Sequence, residues 1–239
     1  MNESAVLVPH QPAYLPWPGY FSRLLDVDEL LLLDHVQFTR GWQNRNRVRG
    51  TGGHGPVWLT VPTRHRFGQP INEVRLADPA WARRHWRTLS YTYARAPYWP
   101  AYQDQLASLY QKPWEHLASL DVALIQFLLD ALGLRVSLVY SSSLQPTGTR
   151  TDMLVNLCER TGRRILRLGV GAPAYLDLEL LRAHDIDLEI ASYTPSPYGA
   201  ASQEWTPALS VLDLLLHEGP AALDVLRAGA RTERKALVP

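Results

Sequence analysis

The chain has 239 residues, a formal net charge of +1 and 20% charged residues, which allows one large folded core. That charge balance excludes a nucleic-acid or membrane-surface protein read from composition alone. Cys158 is the sole cysteine, which excludes a disulfide framework and a cysteine-based zinc cluster, and Lys112 and Lys235 are the only lysines.

In chain order, residues 5–9 form a short apolar run that leads into His10, and residues 29–33 form a second that leads into Asp34. Both are expected as buried parallel strands, each ending in a polar loop, which is how the active edge of a parallel sheet reads. Between them a helix is expected from Pro18 to about Leu25, since proline suits a first helical turn. Residues 43–62 predict a β-hairpin whose turn holds Gly52, Gly53 and Gly55, and residues 72–76 one more short strand. Helices follow from Asp78-Pro79, from residues 98–101, and over 115–132, where Leu117, Leu120, Leu124, Phe127, Leu128 and Ala131 mark one face and Gly133 stops the helix. Strands are then expected at 136–140, 165–170 and 188–193. Helices are expected at 151–161, 178–183, 209–217 and 221–226, with a frayed tail from Arg231. The fold class is α/β with a mostly parallel sheet, a β-hairpin and a helical insertion. Residues 1–76 and 134–219 are expected to form the core, 77–133 the insertion, and 220–239 a terminal helix and tail.

The residues able to do chemistry cluster early. His10, at a strand end, is placed to exchange a proton near neutral pH. Gln11, Tyr14 and Tyr20 add polar tips on a loop stiffened by Pro9, Pro12, Pro16 and Pro18. Asp34 is expected beside His10 across a parallel sheet, to orient it or to hold an acceptor amine, with His35, Gln37 and Arg40 following. In the ribbon Gln43-Asn44-Arg45-Asn46-Arg47, forked side chains suit carboxylate, phosphate or carbonyl oxygens. Alternation puts Arg45, Arg47 and Arg49 on one face, and Asn44 and Asn46 on the other. Ser142, within Ser141-Ser142-Ser143, and Tyr175 are further binding candidates. Gly169-Val170-Gly171 lacks the third glycine of a dinucleotide fingerprint. The histidines show no pair at ligand spacing, so neither a metal nor a cofactor is expected. Cys158 reads as a buried structural thiol. Residues 1–10 lack a signal-peptide pattern and no apolar run reaches the roughly eighteen residues of a membrane span, so a cytoplasmic protein is expected.

These blocks resemble the WbqC-like protein family. The resemblance rests on His10-Gln11-Pro12, Tyr14-Leu15-Pro16-Trp17, Gly19-Tyr20-Phe21, Asp34-His35-Val36-Gln37-Phe38 and Gln43-Asn44-Arg45. It continues through Trp58-Leu59-Thr60-Val61-Pro62, Ser142-Ser143-Leu144, Tyr175-Leu176-Asp177 and Leu209-Ser210-Val211-Leu212-Asp213-Leu214-Leu215. The chain departs from the pattern at Leu166-Arg167-Leu168-Gly169 and in the loop between Tyr193 and Gln203. The resemblance implies a biosynthetic setting, with acyl decoration of an amino sugar or an amino-acid-derived metabolite. In architecture the chain is also similar to HIGH-type nucleotidylyltransferase folds, although it has one histidine in the loop and no lysine-bearing second motif.

The expected activity is therefore acyl or aminoacyl transfer that forms an amide or ester. His10 would be general base, with Asn44 and Arg45 on the carbonyl oxygen or a substrate anion. Two alternatives stand: ATP-dependent ligation or nucleotidyl transfer, and a non-catalytic module that binds an acyl or peptidyl carrier protein or another biosynthetic partner. The last would expose Trp81, Trp86, Trp99 and Trp114; buried, they would be core.

Overall fold

A computed structural model describes residues 5–50, 55–199 and 205–237. The first strand is one extended segment in two pieces, β1 (Val6–Leu7) and β2 (Pro9–His10), followed by α1 (Pro18–Phe21) and β3 (Glu29–Leu32). Next come β4 (Arg45–Val48), β5 (Val57–Thr60), β6 (Thr63–Arg64) and β7 (Arg75–Leu76), then helices α2 (Ala80–Tyr93), α3 (Trp99–Gln111) and α4 (Leu117–Leu132). The chain returns to the sheet through β8 (Ser137–Tyr140), α5 (Ser141–Leu144), α6 (Arg150–Thr161), β9 (Ile165–Gly169), α7 (Leu178–Ala183) and β10 (Asp187–Tyr193). It finishes with α8 (Val211–Glu218), α9 (Ala222–Gly229) and β11 (Ala230–Lys235).

β1 pairs with β9 while β2 pairs with β3, so the segment from Val6 to His10 joins two sets of strands. Read across, the order is β8, β3, β1/β2, β9, β10, β11, with every pairing parallel except β10 with β11. Numbering the parallel strands by their place in the chain makes this 3-2-1-4-5, the doubly wound order. In that order a cleft opens at the carboxyl ends of the first and fourth strands, where the winding reverses.

The two faces follow from side-chain alternation. Leu30 and Leu32 of β3 face a core shared with α2, α3, α4 and α8, whereas Leu31 joins Leu7, Leu154, Leu157, Leu166 and Leu188 on the other face. The helices at 77–133 thus cover one face of the sheet within a single continuous core. α4 is buried almost all round, and it ends at Gly133, whose φ of +72° is the left-handed cap that glycine adopts without a Cβ penalty.

The hairpin pairs Arg45 with Thr60 and Val48 with Val57; residues 51–54 of its turn, including Gly52 and Gly53, lie outside the described residues. Three elements differ from expectation, the first being α5, a single helical turn at Ser141–Leu144 where only a polar strand end was expected. β7 pairs with β6, a two-residue strand in a polar stretch with no alternation to announce it. The tail from Arg231 is not frayed: β11 pairs with β10 from Tyr193–Ala230 to Leu188–Lys235. Its sequence Ala-Arg-Thr-Glu-Arg-Lys is almost wholly exposed, so an edge strand held by backbone hydrogen bonds leaves little apolar signal. No helix among the described residues is long and apolar enough to cross a membrane.

Candidate functional site

The cleft at the strand reversal is real space. A cavity of about 420 Å³ lies at the carboxyl ends of β2 and β9, walled by His10, Gln11, Arg23, Gly169, Gly171 and Tyr175, with Arg150 and Met153 of α6 opposite. Among the described residues none that lines it is acidic.

His10 is half-buried, its ring 4.2 Å from Tyr20 and 5.8 Å from Trp17 between centroids. Its Nδ1 lies 3.0 Å from the carbonyl oxygen of Gln11. A carbonyl only accepts, so Nδ1 carries the proton and Nε2 keeps its lone pair. Burial, reinforced by the Arg23 charge, lowers the imidazole pKa to about 3, so the ring is neutral throughout the physiological range.

Arg23 follows α1 in a one-turn 3-10 helix. Among the described residues no carboxylate pairs with its half-buried guanidinium, and burial lowers its pKa. Its titratable neighbours are the phenols of Tyr20 and Tyr175, both held above their ordinary pKa and so neutral. It lies flat against the end of β9: a Cβ on Gly169 would come within 2.7 Å of the guanidinium carbon, so glycine is what leaves room for it. An unpaired, partly desolvated arginine beside a neutral histidine in an acid-free cleft is built to receive an anion or a polarised carbonyl oxygen.

Of the residues singled out from sequence, His10, Gln11 and Tyr175 line this cleft and Tyr20 packs beneath it. Gln11 is held by Gln43, whose Nε2 donates to its Oε1 at 2.8 Å; Gln43 in turn accepts from the Thr39 amide. The other candidates are engaged elsewhere. Tyr14 is fully buried, its hydroxyl 2.8 Å from His85 Nδ1 and 2.5 Å from the Tyr110 hydroxyl. Asn44 spends its amide on the Val61 carbonyl and the Gly41 amide, and the neighbouring Asn46 donates to the Leu15 carbonyl. Arg45 is exposed and lies over the Trp58 ring at 4.4 Å. Arg47 donates to the Ala208 carbonyl at 3.3 Å, and exposed Gln37 bridges to Pro70.

Asp34 is buried and its hydrogen bonds run away from His10. The carboxylate accepts from the Ser141 hydroxyl at 3.0 Å, the Ser142 amide at 2.9 Å and hydroxyl at 2.6 Å, and Asn72 Nδ2 at 3.3 Å. It therefore ties the ends of β3 and β8 to the start of α5, and Ser142 is committed to it. His35 contacts Ser141 Oγ and, at 3.2 Å, the sulfur of Met153, a wall of the cleft. Cys158 is fully buried with its thiol pushed up to about 12. Among the described residues no three histidine, cysteine or acidic side chains come together as a metal site.

Sequence reasoning missed Arg23 and Arg150. A signal for Arg23 was present: it is the one cation in the apolar stretch from Pro18 to Leu25. Arg150 shows none, since only the crossing of β9 to the far side of β1 brings the start of α6 to His10.

No solved structure matches the chain. A relative described as the uncharacterized protein Rv1507c of Mycobacterium tuberculosis is 32% identical over 224 residues, covering 91% of this chain and 95% of that protein. The WbqC-like protein family profile matches residues 11–225, which take in all of the cleft-lining residues except His10 and Pro9. With the match spanning nearly the whole fold, the chain belongs to the WbqC-like protein family.

Proposed function

We propose that this chain is a biosynthetic enzyme that transfers an acyl or aminoacyl group to the amine or hydroxyl of an amino sugar or amino-acid-derived acceptor, in the cleft between β2 and β9. The observation that carries the reading is the pairing of a neutral His10, its Nδ1–H spent on the Gln11 carbonyl, with the unpaired Arg23 guanidinium in the same cavity. The acceptor nitrogen or oxygen attacks the carbonyl carbon of a thioester donor and its proton passes to His10 Nε2. The carbonyl π pair moves to oxygen, where Arg23 balances the charge. Collapse restores the carbonyl, breaks the C–S bond and releases thiolate, which takes the proton back from His10. A negative charge held at Arg23 also offsets the guanidinium field that depresses the imidazole, so basicity rises when substrate is seated.

The test is transfer from a panel of acyl and aminoacyl thioesters to amino sugars and amino acids, read by mass spectrometry. His10→Ala is expected to lose roughly 10²-fold or more in kcat with the melting temperature retained, and Arg23→Gln a similar amount. Near wild-type turnover in His10→Ala would sink the assignment.

The 3-2-1-4-5 order and the two arginines across the cleft favour a second reading, nucleotidyl transfer or ATP-dependent ligation. It requires ATP or CTP with magnesium to bind; calorimetry showing no heat removes it. A carrier-protein module has less support, since Trp81 and Trp99 are buried while Trp86 and Trp114 pack against the core.

A further inference from the structure

A second cavity of about 310 Å³ adjoins the first, and Arg23 lines both. Its other walls include Trp17, Gly19, Val170, Ser192, Tyr193 and Ala208, and among the described residues Arg23 is the only charged one facing it. The aromatic wall is braced from behind. The Trp17 ring packs at a tilt against Trp42 at 5.2 Å between centroids, and Trp42 against Trp58 at 5.8 Å. Gly19 lies close under the same indole, where a Cβ would meet Nε1 at 3.1 Å. The Arg47 bond to the Ala208 carbonyl holds the opposite rim.

A preformed, mostly apolar cavity with one cation at its inner end suits a ligand with an apolar body and a single polar or anionic head. We propose that this second cavity is the acyl-chain subsite: it takes the hydrocarbon portion of the donor, with the carbonyl at Arg23 and the acceptor on the His10 side. The assignment rests on the acyl-transfer reading and names its donor class, an unbranched or aromatic-tipped acyl group of medium length. Taking ~30 Å³ per water-sized heavy atom, the cavity holds about ten such atoms.

The experiment is calorimetric titration of the full chain with straight-chain carboxylates from butanoate to dodecanoate, whose head group stands in for the acyl carbonyl. In the wild type, affinity is expected to rise about threefold to fourfold per methylene and to stop rising near ten carbons. Ser192→Phe, which fills the cavity, is expected to flatten the series, so that dodecanoate binds no tighter than butanoate. Arg23→Gln is expected to weaken every member at least tenfold. A flat series in the wild type overturns the proposal even if Ser192→Phe fails to fold, and so does a series that Ser192→Phe leaves intact. The two readings fail separately. A flat series with short acyl groups still transferred removes only the chain subsite. The expected series, with no transfer to any acceptor, removes only the reaction.

Discussion

Asp121 sits in the buried stripe of α4 with neither carboxylate oxygen hydrogen-bonded among the described residues, and burial raises its pKa well above the usual 3.8. Because the folded value lies above the unfolded one, its contribution is present below pH 3.8 and is lost as pH rises through the folded value. Asp121→Asn cannot ionise, so it is expected to flatten the fall in stability as pH rises above 3.8, read from urea midpoints; parallel curves would contradict this. Two histidines, the half-buried His10 and the buried His85, act in the opposite sense. His10 and His85 drop from 6.5 to about 3 and about 4, so their contribution is present above pH 6.5 and is lost as pH falls through those values. For His85, whose Nδ1 meets the Tyr14 hydroxyl, the shift corresponds to roughly 3 kcal/mol. His85→Gln is expected to remove part of the acid sensitivity between pH 6.5 and 4, seen as a smaller drop in melting temperature.

At the scale of elements, two carboxylates join segments that the chain separates widely. Asp34 fastens β3 to the serines after β8. Asp213 of α8, fully buried, accepts both arms of Arg49 at 3.0 and 2.9 Å together with the hydroxyls of Tyr93 and Tyr198. Removing either leaves buried donors without a partner. Asp213→Ala is expected to cost about 3–5 kcal/mol by denaturant unfolding, because it strands a partly buried arginine. Asp34→Ala is expected to cost about 2–4 kcal/mol, since it releases several bonds to a charged acceptor. A loss under about 1 kcal/mol in Asp213→Ala would show that Arg49 finds water instead. These ties explain why the ribbon 43–49 and the block 209–215 were legible as distinctive while their purpose was not. Arg49 advertises an anion partner, but 164 residues separate it from Asp213 and no local pattern spans that distance.

For the whole molecule, the shared core means that the helices of 77–133 and the sheet should unfold together. Tryptophan fluorescence, to which the helical segment contributes four of the eight tryptophans, and far-ultraviolet circular dichroism are expected to report one coincident transition; separated midpoints would show the helical segment to be an independent unit. Most of the elements, the parallel α/β class and the family were legible in the sequence, because apolar periodicity, proline and glycine placement and the His10 block are all local properties, whereas β6, α5 and β11 carry no such pattern. It also placed His10 at a strand end. Tertiary structure alone decided which side of the first strand β9 occupies. That choice puts Arg23, Gly169, Arg150 and Tyr175 around His10 and turns Asp34 away toward Ser141 and Ser142. Both arrangements keep the same hydrophobic runs buried, so the pattern of the chain does not distinguish them; only strand order, and the packing that selects it, does.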